Sequence, residues 1–93
     1  MIRTFKNDET SNVFHQLRAP RVPANIIRVT LRKLQQVNFA HELQDLAVPP
    51  GNRLEVLRGD REGQHSIRIN DQWRICFTWS NGGADDVEIV DYH

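Results

Sequence analysis

The spacing of apolar positions changes period once along this chain, near residue 50. Before that point apolar residues recur at helical spacing, and after it they alternate at every second position. A short alternating run, Ile2-Arg3-Thr4-Phe5, opens the chain and reads as a strand. Turn and cap chemistry follows at Asn7 to Ser11. Residues 9–17 then read as a short helix, with Val13, Phe14 and Leu17 on one side and Thr10 or Ser11 near its start. Pro20 and Pro23 break it, because neither can donate to a helix ladder. Pro23 suits the first position of a second helix, which runs to about Asn38. Its stripe of Ile27, Leu31, Leu34 and Asn38, flanked by Ile26, Thr30 and Val37, faces a core. Arg28, Arg32, Lys33, Gln35 and Gln36 take the solvent side. Ala40, Leu43 and Leu46 give about one more helical turn, ended by Pro49-Pro50-Gly51-Asn52.

Beyond that stop, four strands are predicted: 53–57, 64–69, 73–79 and 86–90. A charged turn, Arg58 to Gly63, separates the first two, and Asn81-Gly82-Gly83 is a hairpin loop between the last two. The layout is α+β: an antiparallel sheet with two to three N-terminal helices packed on one face.

The middle turn, Asn70-Asp71-Gln72, fixes a register. A three-residue loop puts Ile67, Ile69, Trp73, Ile75, Phe77 and Trp79 on one face and Ser66, Arg68, Arg74, Cys76 and Thr78 on the other. A slip by one would turn the whole apolar set outward. Carried across the next hairpin, the parity puts Val87 and Ile89 in the core opposite Trp79 and Phe77. Val90 and Tyr92 join the arginine face. Asp91 and His93 point the other way.

Composition narrows the class. Ninety-three residues, 39% hydrophobic and 26% charged, fit one domain over 1–93, neither disordered nor fibrous. No run approaches the roughly 20 apolar residues of a membrane span, and the first residues lack the apolar core of a signal peptide. The sole cysteine, Cys76, excludes an internal disulfide, suits a reducing cytoplasm, and reads as a buried inert thiol. Formal net charge is zero, which alone argues against a nucleic-acid binder. Its distribution does not: residues 1–33 carry seven basic and two acidic groups, whereas 75–93 carry none and four. Ten of the twelve basic residues are arginine, suited to bidentate phosphate contacts, although a GC-rich coding sequence gives the same bias. A balanced charge also suits a protein that meets its RNA inside a larger machine.

The candidate chemistry follows from the arginine face. Arg68, Arg74 and Tyr92 share it, rimmed by Arg58 and Arg61. Two guanidinium groups can clamp a phosphate, and a tyrosine ring can stack on a base. His93 can move a proton near neutral pH, and Asp91 with an adjacent carboxylate favours its imidazolium. The set suits RNA cleavage by in-line attack of a 2′-OH on phosphorus, which needs a base, positive charge and an acid. The ordinary alternatives are a solvated or cross-paired arginine, a packing tyrosine and a disordered terminal histidine. The four histidines sit on separate elements and no phosphate-cradling glycine loop occurs, so neither metal nor cofactor is expected.

Five stretches together resemble the HigB-type toxins of the RelE/ParE superfamily: Gly59-Asp60-Arg61-Glu62-Gly63, Ser66-Ile67, Asn70-Asp71-Gln72-Trp73-Arg74-Ile75, Asp91-Tyr92-His93 and, for the GraT-like, plasmid maintenance killer branch, Pro49-Pro50-Gly51-Asn52-Arg53-Leu54. The resemblance covers essentially the whole chain. It implies a RelE-like fold and a type II toxin that acts as an endonuclease on ribosome-bound mRNA. It also implies inhibition by a HigA-like helix-turn-helix antitoxin, through which alone the toxin reaches operator DNA. The catalytic positions of the family fall on Arg74, Asp91, Tyr92 and His93. Some members carry a histidine and a lysine before the charged turn; here Glu55 and Arg58 stand there. Arg58 keeps the positive charge, and Glu55 can serve as base, which leaves open a weak enzyme or a different base. A non-catalytic, ParE-like toxin that binds its target is the alternative, and so is an inhibitor of translation or ribosome assembly.

Overall fold

The computed structural model describes residues 1–92; His93 lies outside the described residues. Helix α1 spans Asp8–Phe14 and α2 spans Ile27–Phe39. The sheet has strands β1 (Glu55–Val56), β2 (His65–Arg68), β3 (Trp73–Ser80) and β4 (Gly83–Asp91), antiparallel in the order β1-β2-β3-β4. Short 3-10 turns occupy Ala24–Ile26, Leu43–Ala47, Pro50–Asn52 and Gly59–Arg61. The α+β layout is as expected.

The core lies between the helices and one sheet face. Val13 of α1, Leu34 and Val37 of α2, and Ile67, Ile75, Phe77, Ala84 and Val87 of the sheet are all 2% exposed or less. Burying each such side chain contributes about 1.5–3 kcal/mol for the larger ones. No helix among the described residues is long and apolar enough to cross a membrane.

The expected β2–β3 register is the one observed, with Ile67 opposite Ile75 and Arg68 opposite Arg74. Asn70 shapes the turn by accepting from the backbone N–H groups of Gln72 (2.9 Å) and Trp73 (2.8 Å).

The β3–β4 hairpin differs from the expected one. Asn81 and Gly82 both have positive φ, 49° and 74°, so they form a tight two-residue turn and pairing begins at Ser80 with Gly83. Uninterrupted, that register would turn Asp86 and Glu88 into the core. A bulge prevents this: Asp86 takes φ 52°, and the pairing steps from Thr78–Asp85 to Cys76–Glu88. Val87 is thereby buried as expected, but Ile89 pairs with Ile75, and Ala84 rather than Val87 stands opposite Trp79.

Ile2 to Phe5 runs parallel to β4 through two isolated bridges, Ile2–Ala84 and Phe5–Val87. The Thr4 hydroxyl accepts from the N–H of Asp86 in the bulge at 2.8 Å. Arg3 pairs with Asp85 at 2.7 Å, and its hydrogen bond holds that carboxyl below the usual range. A Cβ at Gly83 would stand 2.9 Å from the Arg3 guanidinium, so a side chain there would make Arg3 shift.

Three helix expectations are corrected. Asn7, not Thr10 or Ser11, caps α1, accepting from the Thr10 N–H at 2.9 Å. The helix stops at Phe14, which leaves Leu17 64% exposed beyond it. Lys33, placed on the solvent side of α2 by its charge, is 6% exposed because residues 48–53 fold over that flank.

His65 carries a pH prediction. Its ring lies 6.2 Å from Phe77, and Nδ1 is buried without a hydrogen-bond partner among the described residues. Burial lowers its pKa. The unfolded chain therefore binds the proton first, near pH 6.5, and the neutral ring's contribution to stability is complete above that pH and lost as pH falls through the folded-state value. Denaturant midpoints of wild type and His65→Phe should diverge below about pH 6.5, with only the wild type showing this component of acid loss. Parallel midpoints down to pH 5 would refute it.

Candidate functional site: an arginine-lined depression on the open sheet face

The face turned away from the helices is built by β1, β2, β3 and the end of β4. Arg68 and Arg74 stand directly opposite each other across β2 and β3. Like charges so placed repel unless each has its own acceptors. Both have them. Arg68 ion-pairs with Asp71, three residues on in the turn. Arg74 donates through Nε to the buried Ser66 Oγ at 2.8 Å and through Nη2 to the Arg53 carbonyl at 2.7 Å. The Glu55 carboxylate lies 3.8 Å from the same nitrogen. The Arg74 side chain is 11% exposed, so its guanidinium is held from several sides and shows one edge.

These groups surround a depression of about 350 Å3 lined by Arg53, Glu55, Arg68, Asn70, Asp71, Arg74 and Tyr92. Three guanidinium groups against two carboxylates leave it net positive. Tyr92 reaches it because its N–H donates to the Gln72 carbonyl at 2.6 Å, which continues the line of β4 past Asp91. Val90 pairs with Arg74, so Tyr92 keeps the parity expected from the sequence.

Of the residues singled out by sequence, Glu55, Arg68, Arg74 and Tyr92 come together here. Arg61 and Asp91 line an adjoining depression of about 280 Å3, with Val90 and Tyr92. Arg61 is turned toward the sheet, bonded to Gln64 and to Glu88, each at 3.1 Å. Burial is the largest single influence and opposes its charge, but the Glu88 hydrogen bond together with charge interactions with Cys76, Glu88 and Tyr92 raises the guanidinium pKa. Asp91 accepts from Gln72 Nε2 at 3.1 Å and is exposed. Arg58 is exposed on the turn and lines neither depression, so only Arg61 of the two forms a rim. His93 lies outside the described residues. Among the described residues no group of His, Cys, Asp and Glu could hold a metal ion.

Sequence reasoning missed Arg53 and underrated Asn70 and Asp71. Arg53 has a left-handed backbone, φ 46° and ψ 57°, after the 3-10 turn. The signal was present in Pro50-Gly51-Asn52, a turn that aims the next carbonyl sideways. Asn70 and Asp71 read only as turn formers, although a turn that short projects its side chains beside the strands it joins.

The family model for HigB, a RelE-like toxin of type II toxin-antitoxin systems, matches residues 3–93. The chain belongs to this HigB-like toxin family. It is 43% identical over 63 residues to Toxin HigB-1 of Vibrio cholerae serotype O1, covering 68% of this chain and 66% of that protein. It is 35% identical over 97 aligned residues to Endoribonuclease HigB of Proteus vulgaris, covering 100% of both. The YoeB–YefM complex from Staphylococcus aureus supplies a chain of the same fold, with a TM-score of 0.62 at 13% identity over 100% of this chain and 98% of that one.

Cys76 lies under this face, fully buried, and burial raises its thiol pKa. A thiol reagent at pH 8 should leave native protein unlabelled and modify one thiol per chain in denaturant. Rapid native labelling would show that the thiol is not held buried in the folded chain.

Proposed function

We propose that residues 1–93 form one toxin domain that cleaves messenger RNA through attack of a ribose 2′-OH on the adjacent phosphorus. The observation that carries this reading is the grouping of Glu55, Arg68, Arg74 and Tyr92 around one net-positive depression. In the reaction the O2′–P bond forms and the P–O5′ bond breaks. Glu55, exposed at the rim, takes the 2′-OH proton. Arg74 and Arg68 meet the charge that builds on the phosphorane oxygens, and Arg74 is preorganised for it by Ser66 and the Arg53 carbonyl. Tyr92 stacks on a base. His93 returns a proton to O5′. Arg58 and Arg61 hold flanking phosphates.

The same reading covers the partners. The chain meets its message on the ribosome, in the cytoplasm. A HigA-like helix-turn-helix antitoxin binds it in a hetero-oligomer, and operator DNA is reached only through that partner. Support comes from the family's definition as toxins of toxin-antitoxin systems and from a relative named as an endoribonuclease.

The test is cleavage of a defined RNA, alone and as a message on purified ribosomes. Wild type should leave a 2′,3′-cyclic phosphate, and a 2′-deoxy sugar at the cut position should abolish the product. Arg74→Ala should slow cleavage by about 10²–10³-fold. Equal rates for the variant and wild type, or translation arrest with intact message, would sink the nuclease and leave a toxin that acts by binding.

A further inference from the structure

The loop that carries Arg53 is pinned from behind by a buried polar cluster. Asn52 is fully buried, and its Nδ2 donates to Gln36 Oε1 at 3.0 Å and to the carbonyls of Leu46 at 3.2 Å and Val48 at 3.4 Å. Its Oδ1 accepts from Lys33 Nζ, and Lys33 is itself 6% exposed. An ammonium in that position is costly, since desolvation opposes its charge. Desolvation first, and then the charges of Arg32 and Arg68, lower its pKa. A leucine or methionine would pack on that flank of α2 without the cost.

What the cluster holds is one residue away from the candidate site. Asn52 is followed by Arg53 in its left-handed conformation, and the Arg53 carbonyl takes the 2.7 Å hydrogen bond from Arg74 Nη2. Lys33 and Arg74 are thus joined through the Asn52 amide and a single step of main chain. A carbonyl on a loosely held loop could not fix a guanidinium, because the loop would move with it.

We propose that Lys33 and Asn52 are positioning residues for Arg74: the buried ammonium–amide contact sets residues 50–53 so that the Arg53 carbonyl fixes the guanidinium at the depression. The inference rests on the nuclease reading for its effect on cleavage, but the geometry it claims can be read without RNA. It assigns the buried lysine a role in orientation, not in charge. Glutamine at position 33 should therefore keep the role, since its amide can still donate to Asn52 Oδ1, whereas methionine should lose it.

The experiment compares wild type, Lys33→Met, Lys33→Gln and Arg74→Ala by two readouts. The first is single-turnover cleavage of a defined RNA, with rate and KM separated. The second is solvent exchange of the Arg74 Nη2 protons, which the Arg53 carbonyl holds, followed by nitrogen-15 NMR in the absence of RNA. Lys33→Met should slow cleavage by about tenfold with little change in KM and should speed exchange of the Arg74 Nη2 protons. Lys33→Gln should stay near wild type in both. A folded Lys33→Met with unchanged rate and unchanged exchange overturns the proposal. Equal losses in the two variants, with the Arg74 Nη2 protons still protected, overturn it in favour of a direct effect of charge. If Lys33→Met does not fold, Gln36→Met, which removes an acceptor of Asn52 Nδ2, decides by the same readouts. No cleavage by wild type, or full cleavage by Arg74→Ala, would instead count against the nuclease reading, and the exchange measurement would still decide the positioning.

Discussion

The pairing of β2 with β3 is the constraint on which the rest depends. It sets Arg68 directly against Arg74, an arrangement that would repel in isolation. What enforces it lies on the other face. Ile67 and Ile75 are fully buried there as a pair, Phe77 beside them is 0% exposed, and a slip of one residue would turn one strand's apolar set into water. The apolar face sets the register and the polar face accommodates it. Asp71 takes one guanidinium, and Ser66, the Arg53 carbonyl and Glu55 take the other. A local concentration of positive charge thus persists because burial elsewhere, worth several kcal/mol, outweighs a repulsion already reduced by acceptors.

The edges of the sheet solve a second conflict. The Asn81-Gly82 turn favours a tight hairpin, but the polar pattern of Asp85, Asp86 and Glu88 is out of step with it. The bulge at Asp86 absorbs one residue and restores Val87 and Ile89 to the core side. The freed N–H of Asp86 is satisfied by Thr4, so the N-terminal segment and the bulge depend on each other. The same correction carries through to Val90 opposite Arg74, and so brings Tyr92 to the depression. A bulge some 10 Å or more along the strand from the site, at about 3.3 Å per residue, helps decide which side chain reaches it.

The HigB-like family assignment gives the depression its meaning, and contacts outside the sheet hold its edge in place. Glu55 sits on the short edge strand β1, where only two residues pair, and its position depends on the turn before it. That turn is held by Asn52 and Lys33, which belong to no part of the sheet. Helix, loop and sheet are therefore joined at one point by buried polar groups, where satisfied hydrogen bonds give directional order that apolar packing alone does not.

Much of this was legible in the sequence because it rests on periodicity. The change of period near residue 50, the turn at Asn70 and the shared face of Arg68, Arg74 and Tyr92 follow from alternation and turn chemistry, which are local. Three features were not legible. A charged lysine on a helix reads as solvent-facing, and only the loop packed over it reveals that Lys33 is buried. Asn81-Gly82-Gly83 admits two hairpin registers, and the choice depends on a bulge whose satisfaction comes from Thr4, more than 70 residues away in the chain. Arg61 reads as a free cation, whereas Glu88 on β4 draws it toward the sheet. By itself, then, the sequence determined which residues share a face, because side-chain direction in a strand is a property of the backbone. Which of them remain open to a ligand was decided only by the tertiary structure, because exposure depends on what distant segments bring over them.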